Sequence, residues 1–449
     1  MGVRGVSKDY LLTTPIVAYS NRKFYYGWII VVLGLVSMSF WFGVRSSFSV
    51  FYVALLEEFH WSRGESAGVQ SMAMLTYTFI APVVGGLIDR LGPRRVIVPG
   101  IILLVAGLIL CSTMKTLFQF YLFYGVLVAA GSTCIAIVAY SAILAHWFER
   151  KRGLASGIAV SGMGLGTFLL VPLSQSLISS FGWRPTFVIL GGLVLLIALP
   201  LNLMFLKHKP EELGLRADGL KRAHAAEDNG PQPAVSINPQ KDWTLREVIR
   251  TRSFWALVAF PFFSLIGVYI VVVHNVRFMV DKGIDPMTAA LIFAMAGGCS
   301  SIFRIFWGWI SDHIGREKAY TVGMGCLFVG VFSLLLMDAL EKRVFIYTFF
   351  IFFGMGWGAT APLFMAAAAD LFKGRIFGLI YGIVEGAMNF GGAIGAWAAG
   401  FIFDKTMSYR LAFILVIVVC FLSSVFMWIA APRKARKTVT SDEGQVTSG

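Results

Sequence analysis

Charge is what this chain has least of. Only 14% of its 449 residues are Asp, Glu, Lys or Arg, against about 25% in a soluble globular chain. Mean hydropathy is +0.75, which ordinary soluble enzymes do not reach. Catalytic signatures are missing too: there is no G-x-S-x-G, no H-E-x-x-H, no Walker loop and no paired metal-ligand spacing. Cysteine is sparse. Cys111, Cys134, Cys299, Cys326 and Cys420 all lie in apolar stretches, their number is odd and none forms a C-x-x-C. They read as small packing residues rather than a disulfide framework or a metal site. The glycine strings at Gly162, Gly164 and Gly166 and at Gly354, Gly356 and Gly358 follow no strand, so they read as close-packing helix surfaces and not as a nucleotide loop. No enzyme, no cofactor and no metal is expected, and the lack of a P-loop and of a soluble domain long enough to house one argues against an ATP-driven pump.

Long apolar runs are what fills the chain. A membrane-spanning helix needs about 20 apolar residues, and twelve candidates fall at 27–55, 65–88, 96–114, 119–145, 153–178, 184–206, 253–278, 287–310, 320–337, 344–369, 376–402 and 410–430. The first is too long for a signal-peptide core and ends in no small-residue cleavage site, so it reads as a retained span. With the N-terminus in the cytoplasm, the inner segments carry 27 of the 38 Lys and Arg, which places both termini inside by the positive-inside rule. The same asymmetry accounts for most of the net charge of +14 without any nucleic-acid partner. The expectation is an all-α integral membrane protein. It comprises a cytoplasmic segment 1–26, a six-helix bundle 27–206, a cytoplasmic linker 207–252 with a short amphipathic helix near Trp243–Arg250, a second six-helix bundle 253–430 and a cytoplasmic tail 431–449.

The two halves repeat. "GGLIDRLGPRR" (85–95) follows the second run and "GWISDHIGREK" (308–318) follows the eighth, so Gly85, Asp89 and Gly92 shift by 223 onto Gly308, Asp312 and Gly315. "WFERKRGLASGIAVSGMGLG" (147–166) matches "LFKGRIFGLIYGIVEGAMNFGG" (371–392), with Gly153, Gly157 and Gly166 shifting by 225 onto Gly378, Gly382 and Gly391. Repeats of like topology imply a pseudo-two-fold axis along the membrane normal, with a site between the halves near the midplane.

Six plus six spans with a G-x-x-x-D-(R/K)-x-G-x-(R/K)-(R/K) type of loop in both halves resemble the major facilitator superfamily, and the resemblance covers nearly the whole chain. Within it, "YYGWIIV" (25–31) resembles the start of the first span in the monocarboxylate transporters and the neighbouring oxalate/formate antiporters, and Arg152-Gly153-Leu154-Ala155-Ser156-Gly157 resembles their fifth-span signature. The resemblance implies twelve helices in two pseudo-symmetric halves and alternating access. It also implies that Arg45 corresponds to the first-span basic residue of the monocarboxylate family and Arg304 to the eighth-span arginine. The chain departs from both patterns. Ser300 stands where the monocarboxylate family has an acid one turn before that arginine, and the eleventh span holds Glu385 where the antiporters have a lysine.

Individual residues carry the functional expectation. Arg304 lies in an apolar run, where an ionised side chain costs roughly 3 kcal/mol on insertion scales, and its planar fork suits a carboxylate. The competing reading, pairing with Asp312, has to cross eight residues, about 12 Å of helix. Arg45 stands twelve residues, about 18 Å, before Glu57 and is read as a second anion-attracting cation or as half of a structural pair. Glu385 is read as a proton carrier, or as the fixed partner of Arg45 or Arg304. His274 is a proton sensor or an interface residue, with Asn275 beside it as a candidate substrate contact. Tyr140 and Asn389 either hydrogen-bond the substrate or join helices. Asp89, Arg90, Arg94, Asp312 and Arg316 are expected to gate the cytoplasmic side through breakable charge pairs.

Together these readings give a secondary carrier, a monomer in the lipid bilayer of a bacterial inner membrane. Its cargo is a small organic anion, such as lactate or pyruvate, moved in symport with a proton. Two alternatives stay open: an organic anion exchanger of the oxalate/formate type, and a carrier of hydrophobic compounds or drugs.

Overall fold

The computed structural model describes residues 25–148, 152–215, 244–340, 342–372 and 377–430. The segments 1–24 and 431–449, most of the expected linker and Trp243 lie outside the described residues, as does the side chain of Asp89. Every element among the described residues is helical. Twelve helices are long and apolar enough to cross a membrane: α1 Gly27–Phe59, α2 Arg63–Ile88, α3 Arg94–Ser112, α4 Leu117–Ser141, α5 Ala155–Phe181, α6 Trp183–Phe205, α7 Arg252–Asp281, α8 Pro286–Ile314, α9 Arg316–Leu340, α10 Phe345–Leu371, α11 Leu379–Thr406 and α12 Arg410–Ala430. Large apolar side chains such as Phe79, Leu196 and Phe421 are exposed on the outside of the bundle, where a soluble protein would place polar ones.

Local chemistry sets the helix limits. Gly92 and Gly315 end the helices of α2 and α8 at φ +82° and +95°, values that a residue with a Cβ rarely adopts. Their amides close on the carbonyls of Ile88 and Ser311, so the repeated loop has the same backbone shape in both halves. Of the expected linker helix, the described residues hold the single turn Leu245–Val248, capped reciprocally by Thr244 and Glu247. It stops there because Thr251 already caps the next helix by accepting from the Phe254 amide.

The repeat extends to packing. α1 lies along α5 as α7 lies along α11, and the halves meet through α2 against α11 and α5 against α8. These are pseudo-symmetric pairs. A Cβ on Gly166 would sit 2.0 Å from the Ser39 carbonyl of α1, and one on Gly391 would sit 2.3 Å from the Phe262 carbonyl of α7. Only glycine permits that approach. Of the repeated glycines, Gly166 and Gly391 are therefore packing residues within each half, whereas a Cβ on Gly157 or Gly382 would meet nothing within 4 Å.

The two ends of the bundle differ. At the end remote from the 207–252 linker, hereafter the far face, α1, α2, α7, α11 and α12 converge and seal. At the linker face a cavity of about 620 Å³ opens between α2, α4, α10 and α11.

Candidate functional site

Arg304, on α8, is 8% exposed and reaches across to the other half, where Nη1 donates to the Met163 sulfur of α5 at 3.3 Å. Its Nε has no partner, and Asp312 is held elsewhere, by Arg316. Arg45, on α1, leans the opposite way. Its guanidinium lies 5.1 Å from the centre of the Tyr269 ring of α7, and Nε and Nη2 are buried and unpartnered. Neither arginine has a carboxylate within ion-pair distance among the described residues. Tyr269 is in electrostatic reach of both, so the two cations flank one tyrosine at the junction of the halves.

Arg45 also borders a small chamber of about 20 Å³ with Trp41, Gln70, Tyr77, Tyr124 and Ser132, room for about one water-sized group. Gln70 is 1% exposed and its Oε1 lacks a partner. Tyr124 belongs to a π-helical stretch of α4, Tyr121–Val128, a wide turn often found at functional sites.

Glu385, on α11, stands on the wall of the larger cavity. It pairs with neither arginine; its Oε1 accepts from the Tyr77 hydroxyl of α2 at 3.0 Å. Asn389 shares that cavity, and its Nδ2 is spent on the Glu385 backbone carbonyl at 2.9 Å. Tyr77 borders both the chamber and the cavity. The order of groups is therefore Glu385, Tyr77, Arg45, Tyr269, Arg304, with Tyr77 and Arg45 from the first half set between Glu385 and the Tyr269–Arg304 pair of the second.

Other candidates lie apart from this row. Tyr140 is fully buried inside the first half. Its hydroxyl meets Ser37 Oγ at 2.7 Å and donates to Asn202 Oδ1 at 2.6 Å, tying α1 and α4 to α6. Asn275 gives its amide to the carbonyls of Val271 and Val272, and its Oδ1 is buried without a partner. His274, also fully buried, faces the far-face seal. Its Nε2 donates to the Ala396 carbonyl at 2.9 Å, which leaves Nδ1 of the neutral ring to accept from the Tyr409 hydroxyl at 3.2 Å.

That seal is charged, and the sequence did not point to it. Arg63, at the start of α2, pairs with Asp281 of α7 at 2.5 Å and donates to Tyr409 at 2.9 Å. Asp404 of α11 accepts from the first amides of α2, Arg63 N at 2.9 Å and Gly64 N at 2.7 Å. Arg277 pairs with Glu57 of α1 at 2.9 Å. All these bonds cross between the halves. The expected gating residues behave differently in this state. Arg316 joins Asp312 at 2.7 Å and Asp370 at 3.1 Å within the second half. Arg94 reaches the Met204 carbonyl within the first, and Arg90 is exposed.

Comparison with known proteins agrees with this architecture. A family profile described as Major Facilitator Superfamily matches residues 28–380 and 358–448. Monocarboxylate transporter 13 of Rattus norvegicus is 28% identical over 392 residues, 87% of this chain and 85% of that protein. Monocarboxylate transporter 2 of Homo sapiens is 24% identical over 413 residues, covering 90% and 85%. The bacterial MFS-type transporter YcxA of Bacillus subtilis (strain 168) is 24% identical over 396 residues, covering 85% and 89%. Among solved structures, a bacterial homolog of the human lysosomal transporter Spinster, inward-facing and unoccupied, superposes with a TM-score of 0.69 at 15% identity over 92% of this chain and 98% of that one. The D-xylose–proton symporter does so with a TM-score of 0.70 at 13% identity, over 91% and 99%. At those identities the likeness is one of fold.

Proposed function

This chain belongs to the major facilitator superfamily and is a membrane transporter, and we propose that its cargo is a small organic anion, a monocarboxylate such as lactate or pyruvate, carried with a proton by alternating access. One observation carries the reading: Arg45 and Arg304 hold buried guanidinium nitrogens with no carboxylate to meet them among the described residues. A buried cation left unpaired costs several kcal/mol, and an anion seated between the halves offsets that cost while bonding to both. The relatives named as monocarboxylate transporters support the same chemistry. Glu385, in the open cavity and accepting from the Tyr77 hydroxyl, is the proposed proton carrier. The positive-inside count supports cytoplasmic termini, which would make the present state inward-open. The proposed setting is a monomer in a bacterial inner membrane.

Exchange of organic anions is the second reading. It is favoured by the two guanidinium groups without an adjacent acid, an arrangement that also suits a doubly charged anion. Uptake of labelled lactate into proteoliposomes, with and without an inward proton gradient, tests the choice. Gradient-stimulated uptake in the wild type, lost in a well-folded Arg304→Ala variant, is the expected result. Near-normal uptake by that variant would sink the proposal. Uptake driven only by anion preloaded inside the vesicles would replace symport by exchange.

A further inference from the structure

We infer that Tyr77 is a positioning residue for coupling: its hydroxyl holds the Glu385 carboxylate across the boundary between the halves and links that carboxylate to the helix carrying Arg45. The inference rests on the proton-symport reading above and deepens it.

Three observations meet on this side chain. Its hydroxyl donates to Glu385 Oε1 at 3.0 Å, from α2 in one half to α11 in the other. Its ring stacks on Trp41 of α1, with centroids 5.9 Å apart and planes 23° apart, and Trp41 precedes Arg45 by one helical turn. It is also the one described residue lining both the Arg45 chamber and the cavity that holds Glu385. The position is fixed. Tyr77 is 4% exposed, and nearby Ser71 ties α2 to the Ala393 carbonyl of α11 at 2.6 Å.

The ionisable surroundings of Glu385 are few. Besides Tyr77 there is Tyr381, one turn earlier on α11 and on the same cavity wall. α7 approaches α11 with Tyr269 at Gly392, and α1 brings Arg45 to the far side of Tyr77. Among the described residues α4, α10 and α12 bring no ionisable group to this cavity.

The bond therefore reports protonation. To a carboxylate the Tyr77 hydroxyl gives a charge-assisted hydrogen bond; to a neutral acid it gives an ordinary one, about half as strong. A proton on Glu385 loosens one tie between α2 and α11, the helices that must slide as the halves rock. An anion reaching Arg45 acts on the same ring through Trp41. Proton and anion thus bias one side chain, which is the physical content of coupling.

The test is uptake of labelled lactate by proteoliposomes from about pH 5 to about pH 8 for the wild type, Tyr77→Phe, Glu385→Gln and the double variant. Phenylalanine keeps the stack on Trp41 and removes only the donor. Loss of a donor to the charged form favours the protonated form, so the midpoint of the Tyr77→Phe profile should move to higher pH by about one to two units. In the Glu385→Gln background the same substitution should change nothing further. An unmoved midpoint in Tyr77→Phe overturns the inference, as does a shift of equal size in the Glu385→Gln background, which would mark Tyr77 as merely structural. Wild-type uptake that ignores pH, or no uptake at all, overturns the symport reading and this inference with it.

Discussion

Removing Asp404 should open the far face. Its carboxylate belongs to α11, yet it caps α2 of the other half by accepting from the amides of Arg63 and Gly64 at 2.9 and 2.7 Å. Those amides are among the four that an α-helix leaves unpaired at its start, and the carboxylate also meets the positive end of the helix dipole. Asp404 is exposed, so its worth is that of an N-cap rather than of a buried ion pair. An N-cap contributes about 1–2 kcal/mol, and so Asp404→Ala should shift the ratio of sealed to open far faces by about 5- to 30-fold. The Arg63–Asp281 pair, 14% and 25% exposed, adds about 1 kcal/mol or less, so the double change Asp404→Ala with Asp281→Ala should go somewhat further. The assay is a distance distribution between spin labels at two exposed far-face positions, Lys115 in the first half and Lys342 in the second, after replacement of the five cysteines. The expected result is a growing long-distance population in Asp404→Ala. A distribution identical to that of the parent would refute the capping account, because a bond between the halves that can be deleted without moving them does not hold them together.

Two further predictions separate packing from recognition. Gly391→Leu puts a Cβ within 2.3 Å of the Phe262 carbonyl and should lower stability by about 1–3 kcal/mol. Gly325→Leu, where nothing lies within 4 Å, should stay within about 0.5 kcal/mol of wild type; thermal unfolding in detergent compares them. Tyr140→Phe removes the donor to the buried Asn202 oxygen, which should cost about 1–3 kcal/mol and leave the KM for the transported anion unchanged. A raised KM at unchanged thermal stability would instead put that hydroxyl in the substrate site.

The spans were legible because the bilayer imposes a length and a composition that few other environments demand. The repeat was legible for a related reason. Gly92 and Gly315 meet the same backbone need at positive φ, and Gly166 and Gly391 meet the same need for helix approach, so a 223- or 225-residue shift finds them without knowledge of what they touch. Of the linker helix expected near Trp243–Arg250, the described residues hold the turn Leu245–Val248. Charged and apolar residues near Arg246 alternate as in an amphipathic helix, and a serviceable cap at Thr251 starts α7 so soon that this turn ends at Val248.

The site was legible only in its most costly members. An arginine inside an apolar run announces that something must meet it, which is why Arg45 and Arg304 stood out. It does not announce from which helix the meeting group comes. Tyr77 and Tyr269 are two tyrosines among 14, each in an unremarkable apolar context, and they gain meaning only when α2 faces α11 and α7 faces α1. The far-face seal was hidden for the same reason. Arg63 and Asp404 sit at helix ends 341 residues apart, where a charge is the default and signals nothing. The missing acid at Ser300 and the present one at Glu385 read, in sequence, as a carboxylate displaced from one helix to another and still able to meet an arginine. In three dimensions Glu385 does not touch either arginine. It meets a tyrosine that leans on the helix of one of them, so the link between this carboxylate and the Arg45 helix is a neutral side chain rather than an ion pair.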